Sequence, residues 1–339
     1  MIKKLNWGLV GYGKFGKKIE KSFSYCKFSN LNFIASKTFD PGKADNLNQT
    51  EKFFFKSYYD LIENKEIKNI YIATTNNLHK ELIILAANNK KNIICEKPAC
   101  LSLNEIIECK KAIEKNSIFF IEGLMYLHHP QINKAIEIIR NNEIGKIKKI
   151  VSNFGYKVGR KFLIFELKKI DTKSRLFNPK LGGGSIYDLG CYPLTAALTF
   201  FKLTDLENEV INHKFFREDG AYGVDESAKA ILNFKCGGIA ELCVSIRKNL
   251  ENVIEIIGTK GSIKIINPWI PPPDSTLELS INKSKKIINC FFDKDIYALE
   301  IDNASEAINK NLKELDYPKI NIDRTLEYIK IMEKWRFSD

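Results

Sequence analysis

The chain has 339 residues, 44% of them hydrophobic and 28% charged, which excludes a disordered chain and gives length enough for two ordinary domains. The formal net charge is +12, yet the lysines are scattered among Asn and Ile with no basic stripe interleaved with aromatics. Nucleic-acid binding, which needs a clustered footprint, is therefore not expected, and an anionic small ligand is.

No stretch approaches the roughly 20 apolar residues of a membrane span. Met1-Ile2-Lys3-Lys4 runs straight into an apolar strand rather than into a signal peptide. The eight cysteines form no CxxC pair and the four histidines have no ligand spacing, so neither a metal site nor a disulfide framework is expected. A reducing cytoplasm and no membrane partner fit this pattern. The pair His128-His129 reads as structural or pocket-lining.

Strand and helix alternate through the first part. Leu5 to Val10 reads as a buried strand, Lys14 to Cys26 as helix, Leu31 to Ser36 and Phe53 to Phe55 as strands, and Ile67 to Ala73 as the fourth strand. Leu78 to Asn89 is helical, Asn92 to Cys95 a fifth strand, Leu103 to Lys115 another helix and Ile118 to Ile121 a sixth strand. Repeated strand–helix–strand units predict an α/β fold with a doubly wound parallel sheet. After a helix near Gln131 to Asn141, strands dominate: Ile147 to Tyr156, Val210 to Phe216, Ala228 to Phe234, Ile239 to Ile246, Val253 to Ile257 and Ser262 to Ile266. Helical crossovers are scarce there, so a large, open, mostly antiparallel sheet is expected in a C-terminal α+β domain. Helical periodicity returns at Asp295 to Leu312 and Asp323 to Trp335. The expected division is a dinucleotide-binding Rossmann domain over 1–123 and a substrate-binding and oligomerisation domain over 124–339, whose last helices can pack back on the first.

The turn Gly11-Tyr12-Gly13-Lys14-Phe15-Gly16 follows a strand and opens a helix, the context of a dinucleotide fingerprint. Its first glycine allows the tight turn, the second lets a pyrophosphate approach, and the third lets helix pack on strand, with the anion at the helix N-terminus. About 20 positions on, an NAD-preferring site places an acid for the ribose 2′-hydroxyl. This chain has Ser36-Lys37 instead, a hydroxyl and an ammonium suited to the 2′-phosphate, so NADP(H) is the expected cofactor with NAD(H) the alternative; Asp40 lies too far along.

Glu96-Lys97-Pro98 follows the fifth strand at the edge where ligands of open α/β sheets bind, and the proline restricts Lys97 to extended geometry. An ammonium there can hold a substrate oxygen, or Lys97 can be a surface lysine. Gly182-Gly183-Gly184 leads through Asp188 to Tyr192, one residue before Pro193. Hydride transfer to a carbonyl leaves an alkoxide that needs a proton, which such a phenol can give. Asp188 can hold a second substrate hydroxyl, balance Lys97, or simply accept a buried tyrosine hydroxyl.

Taken together, these motifs resemble the glucose–fructose oxidoreductase, inositol dehydrogenase and rhizopine-catabolism family (Gfo/Idh/MocA). The likeness also takes in Thr74-Thr75-Asn76-Asn77-Leu78-His79, Glu122-Gly123-Leu124-Met125-Tyr126, His129-Pro130-Gln131, Arg175-Leu176-Phe177-Asn178-Pro179 and Gly258-Thr259-Lys260-Gly261-Ser262. The resemblance implies hydride transfer at a carbon of a sugar or sugar derivative, nucleotide- or phosphate-linked sugars of polysaccharide synthesis included. It implies catalysis by Lys97, Tyr192 and Asp188, and cofactor contacts from Thr74, Thr75, Asn76, His79, Glu96 and Lys97 beside the fingerprint and Ser36-Lys37. It also implies a homodimer or homotetramer. Tyr192 stands where most members carry histidine, as in the subgroup with dimeric dihydrodiol dehydrogenase and NADP-dependent xylose dehydrogenase. Thr75 replaces the usual proline, and Leu127 stands where that subgroup commonly has arginine, which puts its substrates in question. Two rival readings stay open: a cofactor-dependent glycosidase of the same family, and a non-catalytic NADP(H) sensor, against which the intact Lys97, Asp188 and Tyr192 argue.

Overall fold

The computed structural model describes residues 3–37, 52–158, 161–162, 165–166, 174–203, 205 and 207–338. The chain divides into two compact units, one of Met1–Met125 with Lys294–Ile329 and one of Tyr126–Asp293 with Lys330–Asp339.

The first unit is built on a six-stranded, all-parallel sheet of β1 (Leu5–Val10), β2 (Ser29–Ala35), β3 (Phe53–Phe55), β4 (Asn69–Ile72), β5 (Asn92–Glu96) and β6 (Phe120–Gly123), in the order β3-β2-β1-β4-β5-β6. Near-continuous apolar runs such as Asn69–Ile72, buried throughout, mark strands covered on both faces. Helix α1 (Lys14–Phe23) packs beside α7 (Ile296–Asn309), while α3 (His79–Asn88) packs against α2 (Tyr58–Glu63) and α4 (Leu103–Asn116). Helix α7 is tied to the sheet by polar contacts. Trp7 Nε1 donates to Ser305 Oγ at 2.9 Å, and the Lys27 and Phe28 N–H groups donate to Asp302 at 2.6 and 2.9 Å. The strand order reverses between β1 and β4, and the loops leaving those two strands flank the switch point.

Two readings of this unit change. Helix α2 is absent from the sequence pattern because six residues carry too little periodicity; it is marked by the cap at Ser57, whose side chain accepts from Tyr59 N and Asp60 N. Strand β5 runs one residue past Cys95, so Glu96 lies within the sheet and is buried.

The second unit holds an eight-stranded sheet. Its strands are β7 (Ile147–Gly155), β10 (Val210–Asp219), β11 (Asp225–Phe234), β12 (Ile239–Ser245), β13 (Val253–Gly258), β14 (Gly261–Ile266), β15 (Thr276–Ile281) and β16 (Ser284–Asn289), β8 (Lys161–Phe162) and β9 (Phe165–Glu166) forming a separate small hairpin. The order is β10-β11-β12-β7-β13-β14-β15-β16, antiparallel at every pairing except β12 with β7. Alternation separates the faces. Ala228, Ala230, Leu232 and Phe234 of β11 are buried, whereas Lys229 between them is exposed. On the buried side lies α6 (Cys191–Lys202), every residue of which from Cys191 to Phe201 is buried, with Phe201 stacked on Phe234 at 4.1 Å between ring centroids. On the other side, charges pair across strands, as in Lys149–Glu241 at 2.7 Å. Helix α5 (Pro130–Arg140) begins at His129, whose Nδ1 accepts from Gln131 N at 3.2 Å, a structural use of that histidine. Helix α8 (Ile322–Arg336) closes the chain.

Candidate active site

In the first unit, Gly11 has φ +101°, a conformation that side-chain-bearing residues avoid, and a Cβ there would stand 2.7 Å from the Ala73 carbonyl oxygen. Gly16 packs on the Gly11 carbonyl, which draws α1 onto β1. At Gly13 a Cβ would meet nothing within 4 Å, so the turn leaves open space in front of α1. No side chain caps α1, so its first N–H groups and the exposed Lys14 are available to an anion. A pyrophosphate fits this cradle. Tyr12 is buried and donates its hydroxyl to Glu20, which also pairs with Lys52 at 2.5 Å; burial and that carboxylate push the phenol pKa up. Phe15 lies edge-on to Tyr297 of α7, 5.6 Å between centroids.

Ser36 follows β2 in a buried position, its N–H donating to the Phe55 carbonyl at 3.0 Å. The next residue, Lys37, is exposed and holds its Nζ 5.1 Å from the ring centroid of Tyr58. Asp40 lies outside the described residues. After β4, Thr74 and Thr75 are half-buried and Asn76 is buried where it opens a short 3-10 turn. His79 is fully buried, with Nδ1 2.9 Å from the Pro98 carbonyl and Nε2 3.3 Å from that of Thr74. One ring thus joins the loops leaving β4 and β5, and a neutral imidazole donates to one of the two carbonyls.

Lys97 is half-buried at the edge of β5, and the Lys97-Pro98 bond is cis. The carboxyl of Glu96 accepts the Tyr71 hydroxyl at 2.5 Å. Burial pushes its pKa up to about 7, against the opposing pull of Tyr71 and the Lys97 ammonium. Glu300 of α7 is buried, and its carboxyl pKa is raised well above the usual carboxylate range by burial and by the neighbouring Glu96 and Glu122 carboxylates. Glu122 accepts from Ala99 N at 2.7 Å, from Thr325 Oγ1 at 2.8 Å and from the Tyr328 hydroxyl. It thereby pins the turn that follows Lys97-Pro98. Tyr71, Glu122 and Glu300 were not legible as site residues; isolated polar positions inside apolar runs are their only signal.

In the second unit, a π-helical turn (Ile186–Gly190) feeds directly into α6 and carries Asp188. The turn is anchored by Asp225, which accepts from Ser185 Oγ and Ile186 N, both at 2.7 Å, and pairs with Arg336 at 3.2 Å. Gly184, with φ +111°, passes so close that a Cβ would sit 2.3 Å from Asp225 Oδ1. Asp225 and Arg336 are both buried, and removing one partner of such a pair costs about 3–5 kcal/mol. Asp225→Ala is therefore expected to lower unfolding stability by that order, read from the urea midpoint. A loss below about 1 kcal/mol would contradict the anchoring role.

Each oxygen of the Asp188 carboxylate has a donor. Arg175 Nη2 donates to Oδ1 at 2.7 Å and the Tyr156 hydroxyl to Oδ2 at 2.9 Å. Tyr156 thus bonds Asp188, and its phenol pKa is raised by burial and by that carboxylate. Tyr192 lies one turn on, 6% exposed, in a wall of rings: Phe154 at 5.3 Å, Trp269 at 5.7 Å and Tyr126 at 5.8 Å between centroids. That wall is fixed at its rim, since Trp269 Nε1 donates to the Asn153 carbonyl at 2.8 Å and the Tyr126 hydroxyl pairs with Thr195 Oγ1 at 2.9 Å. Leu127 is buried. A phenol so held has little rotamer freedom left to lose. Phe154 was missed because alternation reveals the face of a strand and not what gathers there, and Tyr156 and Trp269 because they lie in loops after β7 and β14, where no periodicity marks a side chain.

The structure therefore brings Gly11 to Gly16, Ser36, Lys37, Thr74 to Asn76, His79, Glu96 and Lys97 to the carboxyl edge of one sheet. It sets Asp188 and Tyr192 on one helical stretch of the other unit. Among the described residues no group of three or more His, Cys, Asp or Glu could hold a metal, and no helix is long and apolar enough to cross a membrane.

Comparison with known proteins agrees with this layout. Residues 5–124 match the model of an oxidoreductase family with an NAD-binding Rossmann fold (GFO/IDH/MocA), and residues 132–264 match the C-terminal domain of that family. An uncharacterized oxidoreductase of Rhizobium meliloti is 27% identical over 311 residues, 90% of this chain and 89% of the relative. A trans-1,2-dihydrobenzene-1,2-diol dehydrogenase of Xenopus tropicalis is 27% identical over 78% of this chain and 76% of its own length. A 3-ketoreductase of Actinomadura kijaniata, solved with NADP and TDP-benzene, superposes with a TM-score of 0.82 at 18% identity, over 98% of this chain and 97% of that one.

Proposed function

Because the chain belongs to the GFO/IDH/MocA family and is an NAD(P)-dependent oxidoreductase with a dinucleotide-binding Rossmann domain, we propose that it transfers hydride to or from a carbon of a sugar or sugar derivative with NADP(H) as its preferred cofactor. The observation that carries the cofactor choice is the end of β2, where Ser36 and the exposed ammonium of Lys37 stand in place of a carboxylate. The sugar assignment draws support from a D-xylose 1-dehydrogenase (NADP(+)) of Haloferax volcanii and a dTDP-3,4-didehydro-2,6-dideoxy-alpha-D-glucose 3-reductase of Saccharopolyspora spinosa to which the chain is similar, and nucleotide- or phosphate-linked sugars suit its positive charge.

In this reading the fingerprint from Gly11 to Gly16 holds the pyrophosphate, Ser36 and Lys37 the 2′-phosphate, and Thr74, Thr75, Asn76 and His79 the loop facing the nicotinamide ribose. Glu96 sets the charge beneath the nicotinamide end. When bound, the nicotinamide supplies or accepts the hydride. Lys97 donates to the reacting oxygen and polarises it, and Tyr192 gives that oxygen a proton in reduction and takes one in oxidation. Asp188, held and oriented by Arg175 and Tyr156, accepts a neighbouring substrate hydroxyl. The active form is a homodimer or homotetramer.

The test of the cofactor choice is a fluorescence titration of the protein with NADPH and, in parallel, NADH. The expected result is NADPH binding at least about tenfold tighter, the effect of a charge-assisted pair at the 2′-phosphate. Tighter NADH binding would overturn the role given to Ser36 and Lys37.

A further inference from the structure

Lys37 is not left to find a phosphate from free solution. Its ammonium lies 5.1 Å from the centroid of the Tyr58 ring, within the range of a cation–π contact. One residue earlier, Ser36 N–H is fixed by the Phe55 carbonyl at 3.0 Å. Tyr58 is itself placed by the first turn of α2, which Ser57 caps through the N–H groups of Tyr59 and Asp60 at 3.2 and 3.4 Å. The ring is half-buried. Strand β3 and helix α2 thus hold the end of β2 from one side, backbone and side chain together.

We propose that Tyr58 is a positioning residue for cofactor selection: it holds the Lys37 ammonium over its ring, so that the donors left on the other side meet the 2′-phosphate of NADP(H). An exposed lysine samples many rotamers, and fixing one on binding costs entropy. A ring that already holds the ammonium lowers that cost, and the benefit falls only on the cofactor that carries the phosphate. An ammonium stacked on a ring face keeps its N–H groups for an anion, because the ring uses charge and not a lone pair. The inference rests on the Ser36-Lys37 reading above.

The experiment measures the dissociation constants of NADPH and NADH for the wild type and for Tyr58→Leu, Tyr58→Phe, Lys37→Ala and the double variant Tyr58→Leu/Lys37→Ala. Tyr58→Leu is expected to weaken NADPH about threefold to tenfold and to leave NADH within twofold, which also shows that the variant is folded. Tyr58→Phe keeps the ring and is expected to retain most of the NADPH affinity. The double variant should match Lys37→Ala alone, since Tyr58 acts through Lys37. Equal loss of both cofactors in Tyr58→Leu, or no loss at all, would overturn the proposal while leaving the role of Lys37 standing. An unchanged NADPH-to-NADH ratio in Lys37→Ala would instead overturn the reading on which it rests.

Discussion

Replacing Lys97 by methionine is expected to lower turnover by about 10³-fold while leaving the dissociation constant of NADPH within a few-fold of wild type. The magnitude is that of losing one preorganised donor to a developing oxyanion. The split between turnover and binding follows from position. Lys97 stands at the carboxyl edge of β5, whereas the pyrophosphate cradle is built on the turn after β1, with no backbone shared between them. Methionine keeps the length of the side chain and loses only the charge. Burial of Glu96 beneath it makes the change more than a deletion, because the ammonium is one of the groups that hold that carboxyl down. Single-turnover kinetics with NADPH check the result, and retained turnover would sink the role of Lys97.

The second large effect belongs to Tyr192. Tyr192→Phe keeps the ring among Phe154, Trp269 and Tyr126, so folding stability is expected to change by less than about 1 kcal/mol. Loss of the proton it carries is expected to lower kcat by about 10²–10⁴-fold. The pairing of an intact melting transition with a collapsed kcat is the signature. A wild-type kcat in Tyr192→Phe would move the proton-transfer role elsewhere, and Tyr156, bonded to Asp188, would be the next phenol to replace.

The sheet that carries the cofactor edge was legible because its strands are separated by helices and its first turn bears three glycines, features local in sequence. Ser36 and Lys37 could be placed for the same reason. What escaped was short or polar. The hairpin of β15 and β16 turns at Asn282 and Lys283, both with positive φ (48° and 66°), without the glycine that usually marks such a turn. Strand β16 is also largely exposed, so alternation left no trace. At the site, Asp188 and Tyr192 were legible from the run that leads out of Gly182-Gly183-Gly184 to Pro193 and from the family resemblance it carries. The partners of Asp188, Arg175 and Tyr156, are 13 and 32 residues away and meet it only through the fold. Glu96 reads as a residue outside the strand because a carboxylate breaks an apolar run; the Tyr71 hydroxyl that lets β5 bury it comes from a different strand.

Net hydride transfer between NADP(H) and a sugar carbon separates the proposed reaction from glycoside cleavage. The most direct measurement incubates the protein with NADPH deuterated at the transferred position and a panel of keto-sugars, free and nucleotide-linked, and follows both reduced cofactor and product mass. One NADPH consumed for each deuterium that appears on a product carbon is the expected result. Cleavage of a glycosidic substrate with no net change in reduced cofactor would contradict it and establish the glycosidase reading instead.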